Sequence, residues 1–366
     1  MTKIEAAIVA TTTAVTLMLI HRGTVEGVGG PARPGNQLSA WIDRSTADPA
    51  PSSLPGEDGA VAYDPVGQRF VLFGGKDDSD ARTNTVWTLD ATRYTWQRFD
   101  AAGDVPPPAE DHVLIYDPSG RRMILHGGQG TTVGKNTWSL DLESHRWRQL
   151  PDPNGPGRED HTAIYDSRAK RMIVFGGSHH DHVFNDLWGL DLDPKSERFE
   201  TWHSISDGED EPTPRYDHVS VFDVKKNRML IYGGWDGDDC LDDTWAIDLE
   251  HWSWKEVKTK KSFPLCRRRA EAAYDPDRNW WIIFGGFGDG GYLNDVWAFD
   301  LDADIWINVT PGPQPRIDHH IAYNPMLHGI MLYGGDARLG PKFHDVWELR
   351  IDPDLQREAL LRAAYH

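Results

Sequence analysis

Gly-Gly pairs recur six times along the 366-residue chain, at 74–75, 127–128, 176–177, 233–234, 285–286 and 334–335. The first and last lie 260 residues apart over five intervals, a mean period of 52. A fixed period of about 50 residues is the mark of a repeat architecture in which each unit buries its faces only against its neighbours. Each pair ends an apolar run: Phe70–Phe73, Met123–Leu125, Met172–Phe175, Met229–Tyr232, Trp281–Phe284 and Ile330–Tyr333. Ten to twelve residues after the second glycine stands a tryptophan: Trp87, Trp138, Trp188, Trp245, Trp297 and Trp347. A second follows nine residues later at Trp96, Trp147, Trp254 and Trp306, and after fourteen at Trp202.

Each copy reads as four short strands. Strand A, as in Val113–Tyr116, leads into an Asp-Pro turn seen at Asp64-Pro65, Asp117-Pro118 and Asp275-Pro276. Strand B ends at the double glycine, where glycine permits positive φ and close backbone approach. Strands C and D carry the first and second tryptophans. Over residues 38–350 the chain resembles the kelch-repeat proteins, the group that includes the central domain of galactose oxidase. The resemblance implies an all-β chain: a single six-bladed β-propeller of four antiparallel strands per blade. The sixth copy lacks a second tryptophan after Trp347, whereas Leu38–Ile42 resembles the strand around Trp96. The N-terminal strand is therefore expected to complete the last blade, leaving no free sheet edge.

The organisation expected is an apolar segment and linker over 1–35, the propeller over 36–353, and a short C-terminal helix over 354–366. The apolar run Ala6–Ile20 is short for a spanning helix. It reads either as a signal or anchor, the one route to a membrane, or as a start that plays no part in the fold. Localisation is left open between export and the cytoplasm. The net charge of −19 argues against nucleic acid as a partner and favours a soluble protein meeting cationic groups. A monomer is expected. The two cysteines, Cys240 and Cys266, exclude a four-cysteine zinc site. They fall in loops on one face of adjacent blades, placed to form a disulfide if the protein is exported.

Function is expected on the face bearing the loops after strand B and those from D to the next A, because loops on a rigid scaffold carry binding. The loops after the double glycines differ in every blade. Trp235, Asp236 and Phe287 stand in them, away from the framework tryptophan positions. At the start of strand A an Asp-His pair recurs: Asp111-His112, Asp160-His161, Asp217-His218 and Asp318-His319, three of them preceded by Arg158, Arg215 or Arg316. Recurrence within one chain gives the histidines a structural reading, and Arg-x-x-His is part of the kelch pattern. The aspartates are expected to make the channel mouth acidic. In the fifth repeat Arg267, Arg268 and Arg269 replace the pair, and Arg267 and Arg269 are candidates for an anionic ligand group. His179 is a ligand candidate, and His179, His180 and His182 are weak candidates for a divalent metal. No cofactor is expected otherwise: the copper site of galactose oxidase and the iron-binding run of plant specifier proteins find no counterpart. Two functions remain: a binding propeller for a protein or glycan, favoured over catalysis, and an enzyme of the sugar isomerase, mutarotase or lyase type using Asp, His and Arg at the mouth.

Overall fold

The computed structural model describes residues 39–45, 51, 53–130, 134–152, 154–206, 212–259, 263–337 and 342–352. The expected apolar N-terminal segment and C-terminal helix lie outside these residues. The described residues form strands and no helix, arranged as a ring of six antiparallel sheets.

Blade one holds Ala60–Asp64, Arg69–Phe73, Val86–Asp90 and Trp96–Arg98, ordered from channel to rim. Blades three, four and five repeat it, with inner strands Thr162–Asp166, Val219–Asp223 and Glu271–Asp275. Blade two, from Ala109–Asp117, adds a short parallel edge, Ala102–Gly103, outside its Arg146–Gln149 strand. The inner strands touch in a closed cycle, blade one meeting blade six.

Blade six closes as expected. Ser39–Asp43 pairs antiparallel with Val346–Ile351, placing Trp41 opposite Leu349. The second tryptophans explain why this strand belongs there. Each packs on the residue before the double glycine of the preceding blade: Trp96 on Tyr333 (4.6 Å between ring centroids), Trp147 on Phe73 (5.1 Å), Trp202 on His126 (4.4 Å), Trp254 on Phe175 (4.9 Å) and Trp306 on Tyr232 (5.0 Å). Trp41 takes the sixth such place, 5.4 Å from Phe284. Aromatic pairs at these separations and tilts add to the area they bury.

A second framework module fixes the start of strand A. Arg158, Arg215, Arg267 and Arg316 are almost wholly buried. Each forms a two-point ion pair with an aspartate of its own blade, Asp186, Asp243, Asp295 or Asp345. Each also donates to the carbonyl of the first glycine of that blade's pair. The same aspartates accept the indole N–H of the first tryptophan, as Asp243 does from Trp245 at 2.7 Å. A buried guanidinium is tolerable only with its charge paired and its terminal nitrogens bonded in this way. The double glycine is needed here: Gly177 has φ 94°, and a Cβ on it would stand 2.6 Å from the carbonyl oxygen of Glu159.

Candidate site at the channel mouth

Asp58, Asp111, Asp160, Asp217, Arg269 and Asp318 open the six inner strands, and all six have φ between 54° and 57°. Their backbones form a closed collar. Each amide donates to the carbonyl of its counterpart one blade back: Asp111 to Asp58 (3.1 Å), Asp160 to Asp111 (3.2 Å), Asp217 to Asp160 (3.0 Å), Arg269 to Asp217 (3.0 Å), Asp318 to Arg269 (3.4 Å), and Asp58 to Asp318 (3.3 Å). Left-handed backbone favours glycine, asparagine and aspartate, which explains why aspartate recurs at this point of the repeat. Arg269 is the exception to that preference.

The collar is electrostatically divided. Arg269 donates through Nε to Asp318 Oδ1 at 2.6 Å, and its Nη2 reaches Asp318 and, at 3.3 Å, Asp58. Lys76 donates to Asp58 at 2.9 Å and to Glu110. Blades five, six and one are thereby neutralised. Asp111, Asp160 and Asp217, on blades two to four, form no salt bridge among the described residues. Burial, and then the neighbouring carboxylates, hold Asp111 and Asp160 well above the usual carboxylate range. Burial likewise pushes Asp217 up to about 6, with the charges of Arg269 and Arg268 opposing the shift.

Below the collar the inner strands enclose a cavity of about 230 Å³. Glu271 lines it, with its carboxyl pushed up to about 8 by burial. The corresponding residues of blades one to four are Ala60, Val113, Thr162 and Val219, and of blade six His320. Glu271 and His320 are lining groups the sequence reading passed over. Their signal was a polar residue at one position of the inner strand.

The recurring histidines are framework. His112 Nε2 bonds the Phe73 carbonyl oxygen at 3.0 Å, and His218 Nε2 meets Thr162 Oγ1 at 2.8 Å. Each packs on the residue before the previous blade's double glycine, as His319 does on Phe284 at 5.0 Å. Burial holds His112 down to about 4 and His161, His218 and His319 well below the usual imidazole range. Where that partner is Tyr232 or Tyr333, the following blade carries Ala270 or Gly59 instead. The tyrosine hydroxyls bond the carbonyls of Pro264 and Pro55. These two departures from the repeat are therefore exchanges of packing.

The expected loop-face residues separate into two groups. Trp235 and Phe287 lie beside the collar, bridged to Tyr216 and Arg268, the residues that precede Asp217 and Arg269. The Arg268 guanidinium sits 4.5 Å from the Trp235 ring and 5.5 Å from that of Phe287, joining blades four and five. Tyr292 packs edge-on against Phe287. Arg268, with no salt bridge among the described residues, is the centre of this patch, and the sequence reading left it out of the candidates. Asp236 shapes its own loop, accepting the amides of Asp238 and Asp239.

Arg267 requires correction: at 1% exposure, held by Asp295, it faces the blade interior, in the position of Arg158 and Arg215. His179 and His182 form rungs of a small hairpin in blade three. His179 stacks on His180 and His182 on Phe184, and among the described residues none of the three joins a convergent set of metal donors. Of the lysines that precede blade five, Lys258 pairs locally with Glu256 at 3.1 Å. Cys240 and Cys266 are joined as a disulfide with Cα atoms 5.5 Å apart, tying the loop beside Trp235 to the one entering blade five.

A model of the KLHDC2/KLHL20/DRC7 kelch-repeats domain matches residues 60–198 and again 197–355. The chain belongs to the kelch-repeat family. It is 26% identical over 319 residues to the flagellar outer-arm dynein alpha chain of Chlamydomonas reinhardtii, covering 79% of this chain and 7% of that one. It is 29% identical over 267 residues to Adagio-like protein 3 of Oryza sativa subsp. japonica, covering 68% and 40%. It is 32% identical over 108 residues to dynein regulatory complex subunit 7 of Chlamydomonas reinhardtii, covering 29% and 9%. The kelch chain thus spans less than half the length of these relatives.

Proposed function

We propose that this kelch propeller is a binding module for a protein, engaged through the loop face over blades four and five and the adjoining channel mouth. The observation that carries the reading is the Trp235–Arg268–Phe287 stack. Two half-buried aromatics and a guanidinium, ordered by one another and backed by a disulfide-tied loop, present contact area at small entropic cost. Phe263 and Leu265, 48% and 68% exposed, extend an apolar surface beside Cys266. Relatives named for dynein assemblies support a protein partner over a glycan.

Catalysis finds less support. The mouth histidines are buried, neutral and packed into the blade seams, which takes them out of acid–base work at the channel. The groups that suit proton transfer are the raised carboxyls, Glu271 in the cavity and Asp111, Asp160 and Asp217 at the collar.

The test is to present the immobilised chain with a displayed random 12-mer peptide library and a glycan array in parallel. Enriched peptides that lose binding to Trp235→Ala support the reading. Saturable glycan binding without any Trp235-dependent peptide would overturn it.

A further inference from the structure

We propose that the bare arc of the collar receives a lysine or arginine side chain projecting from the protein partner, held by Asp111, Asp160 and Asp217. The inference rests on the protein-binding reading and names what the mouth recognises.

Three observations converge. The first is the charge division. Arg269 and Lys76 are spent on Asp318, Asp58 and Glu110, so the arc over blades two to four is left with carboxylates and no ion pair among the described residues. Neighbouring carboxylates crowded at such an arc are relieved by an incoming cation. The second is independent of the collar acids. His320 is 2% exposed, lines the same cavity, and its Nε2 has no hydrogen-bond partner among the described residues. Burial holds this imidazole down to about 4, so it stands neutral, and its unprotonated ring nitrogen suits an N–H donor. The third is size. The cavity is smaller than the ~300–1,000 Å³ of ordinary small-molecule pockets, and suits one inserted side chain.

A bound metal ion fits the geometry less well. Among the described residues, the convergent donor sets are Glu57–Asp58–Asp318 and Cys240–Cys266–Asp289. The first is already held by Lys342, Lys76 and Arg269, and the cysteines of the second form the disulfide. Asp111, Asp160 and Asp217 do not converge on one point. A guanidinium fans its donors over a plane, and an ammonium carries three on a flexible stem, so either can bridge carboxylates set apart.

A bound cation favours the ionised carboxylates, so protons held by these raised carboxyls are released to solvent on binding and affinity rises with pH as they ionise. The other titratable and charged groups facing the arc are Arg268, Arg269 and Glu271 beside Asp217, Lys76, Asp58 and Glu110 beside Asp111, and Glu159 beside Asp160.

The experiment takes library-selected peptides whose binding depends on Trp235 and replaces each basic residue, lysine by norleucine and arginine by citrulline. Both forms are titrated against the intact chain and against Asp160→Asn/Asp217→Asn. Asparagine accepts the left-handed backbone, and an unchanged melting profile confirms the fold. The expected result is a loss of tenfold or more for one basic residue on the intact chain and less than twofold on the variant. Affinity of the intact chain should also climb from pH 5 to 7, with a flatter profile in the variant. Trp235-dependent peptides lacking a basic residue would overturn the inference and leave protein binding standing, as would equal losses on both chains. Failure to select any Trp235-dependent peptide would overturn both.

Discussion

Trp41→Ala tests whether the N-terminal strand is structural. Trp41 packs on Phe284 and on the cluster that includes Ile282, Val296 and Leu349, bridging blades six and five. A wholly buried tryptophan removes roughly 150–250 Å² from water, worth about 4–6 kcal/mol at ~25 cal/mol per Å² as an upper bound. Trp41 is half-buried, so about 2–3 kcal/mol is expected from area, and a cavity term moves it toward the ~3–5 kcal/mol typical of tryptophan truncation. Urea unfolding of Trp41→Ala beside Trp254→Ala gives an internal standard, since Trp254 is equally half-buried and holds the same place on Phe175. The midpoints should fall by similar amounts. Deleting residues 1–45 should cost more, because it also exposes the edge of Val346–Ile351. A full drop for Trp254→Ala with none for Trp41→Ala or the deletion would refute closure by the N-terminal strand.

Other expectations concern single groups. Arg267→Ala should cost about 3–5 kcal/mol by stranding Asp295, read as a fall in the unfolding midpoint. Thiol titration of unfolded, non-reduced protein should find no free thiol, and Cys240→Ser/Cys266→Ser should lose about 2–4 kcal/mol for opening a 26-residue separation. Two free thiols in protein from an oxidising compartment would contradict the bridge. Asp217 binds its proton more tightly folded than unfolded, so its contribution to stability is present at low pH and lost as pH rises from about 4 to about 6. Asp217→Asn should therefore gain stability relative to the natural chain at pH 7, by on the order of 2 kcal/mol, and gain little at pH 4.

The architecture was legible because its determinants repeat. Six double glycines and paired tryptophans occupy equivalent contacts in every blade, and the missing copy at the C-terminal end pointed to Trp41. The collar was legible in composition and not in cause: aspartate recurs there because the backbone turns left-handed, which no local pattern announces. Arg267 was misassigned because three consecutive arginines conceal that the first is in phase with Arg158 and the third with Asp160. Ala270 and Gly59 stand where other blades place histidine because Tyr232 and Tyr333 precede them one blade earlier in the ring, a compensation 38 and 274 residues away in sequence. Arg268 gained its importance only when the fold set it between Trp235 and Phe287 from adjacent blades. Blade three carries an insertion, Pro194 to Glu200, on the opposite face. Its end, Glu200, is buried and paired with Arg122 and Arg148 of blade two.

The most direct measurement compares the two faces. Affinity for peptides selected on the intact chain is determined for Trp235→Ala/Phe287→Ala and for Lys195→Ala/Glu197→Ala. The first pair removes both aromatic faces around Arg268, and the second alters exposed residues of the opposite face. Binding should weaken at least tenfold in the first pair and stay within twofold in the second. The reverse pattern would place the site on the opposite face and contradict the account.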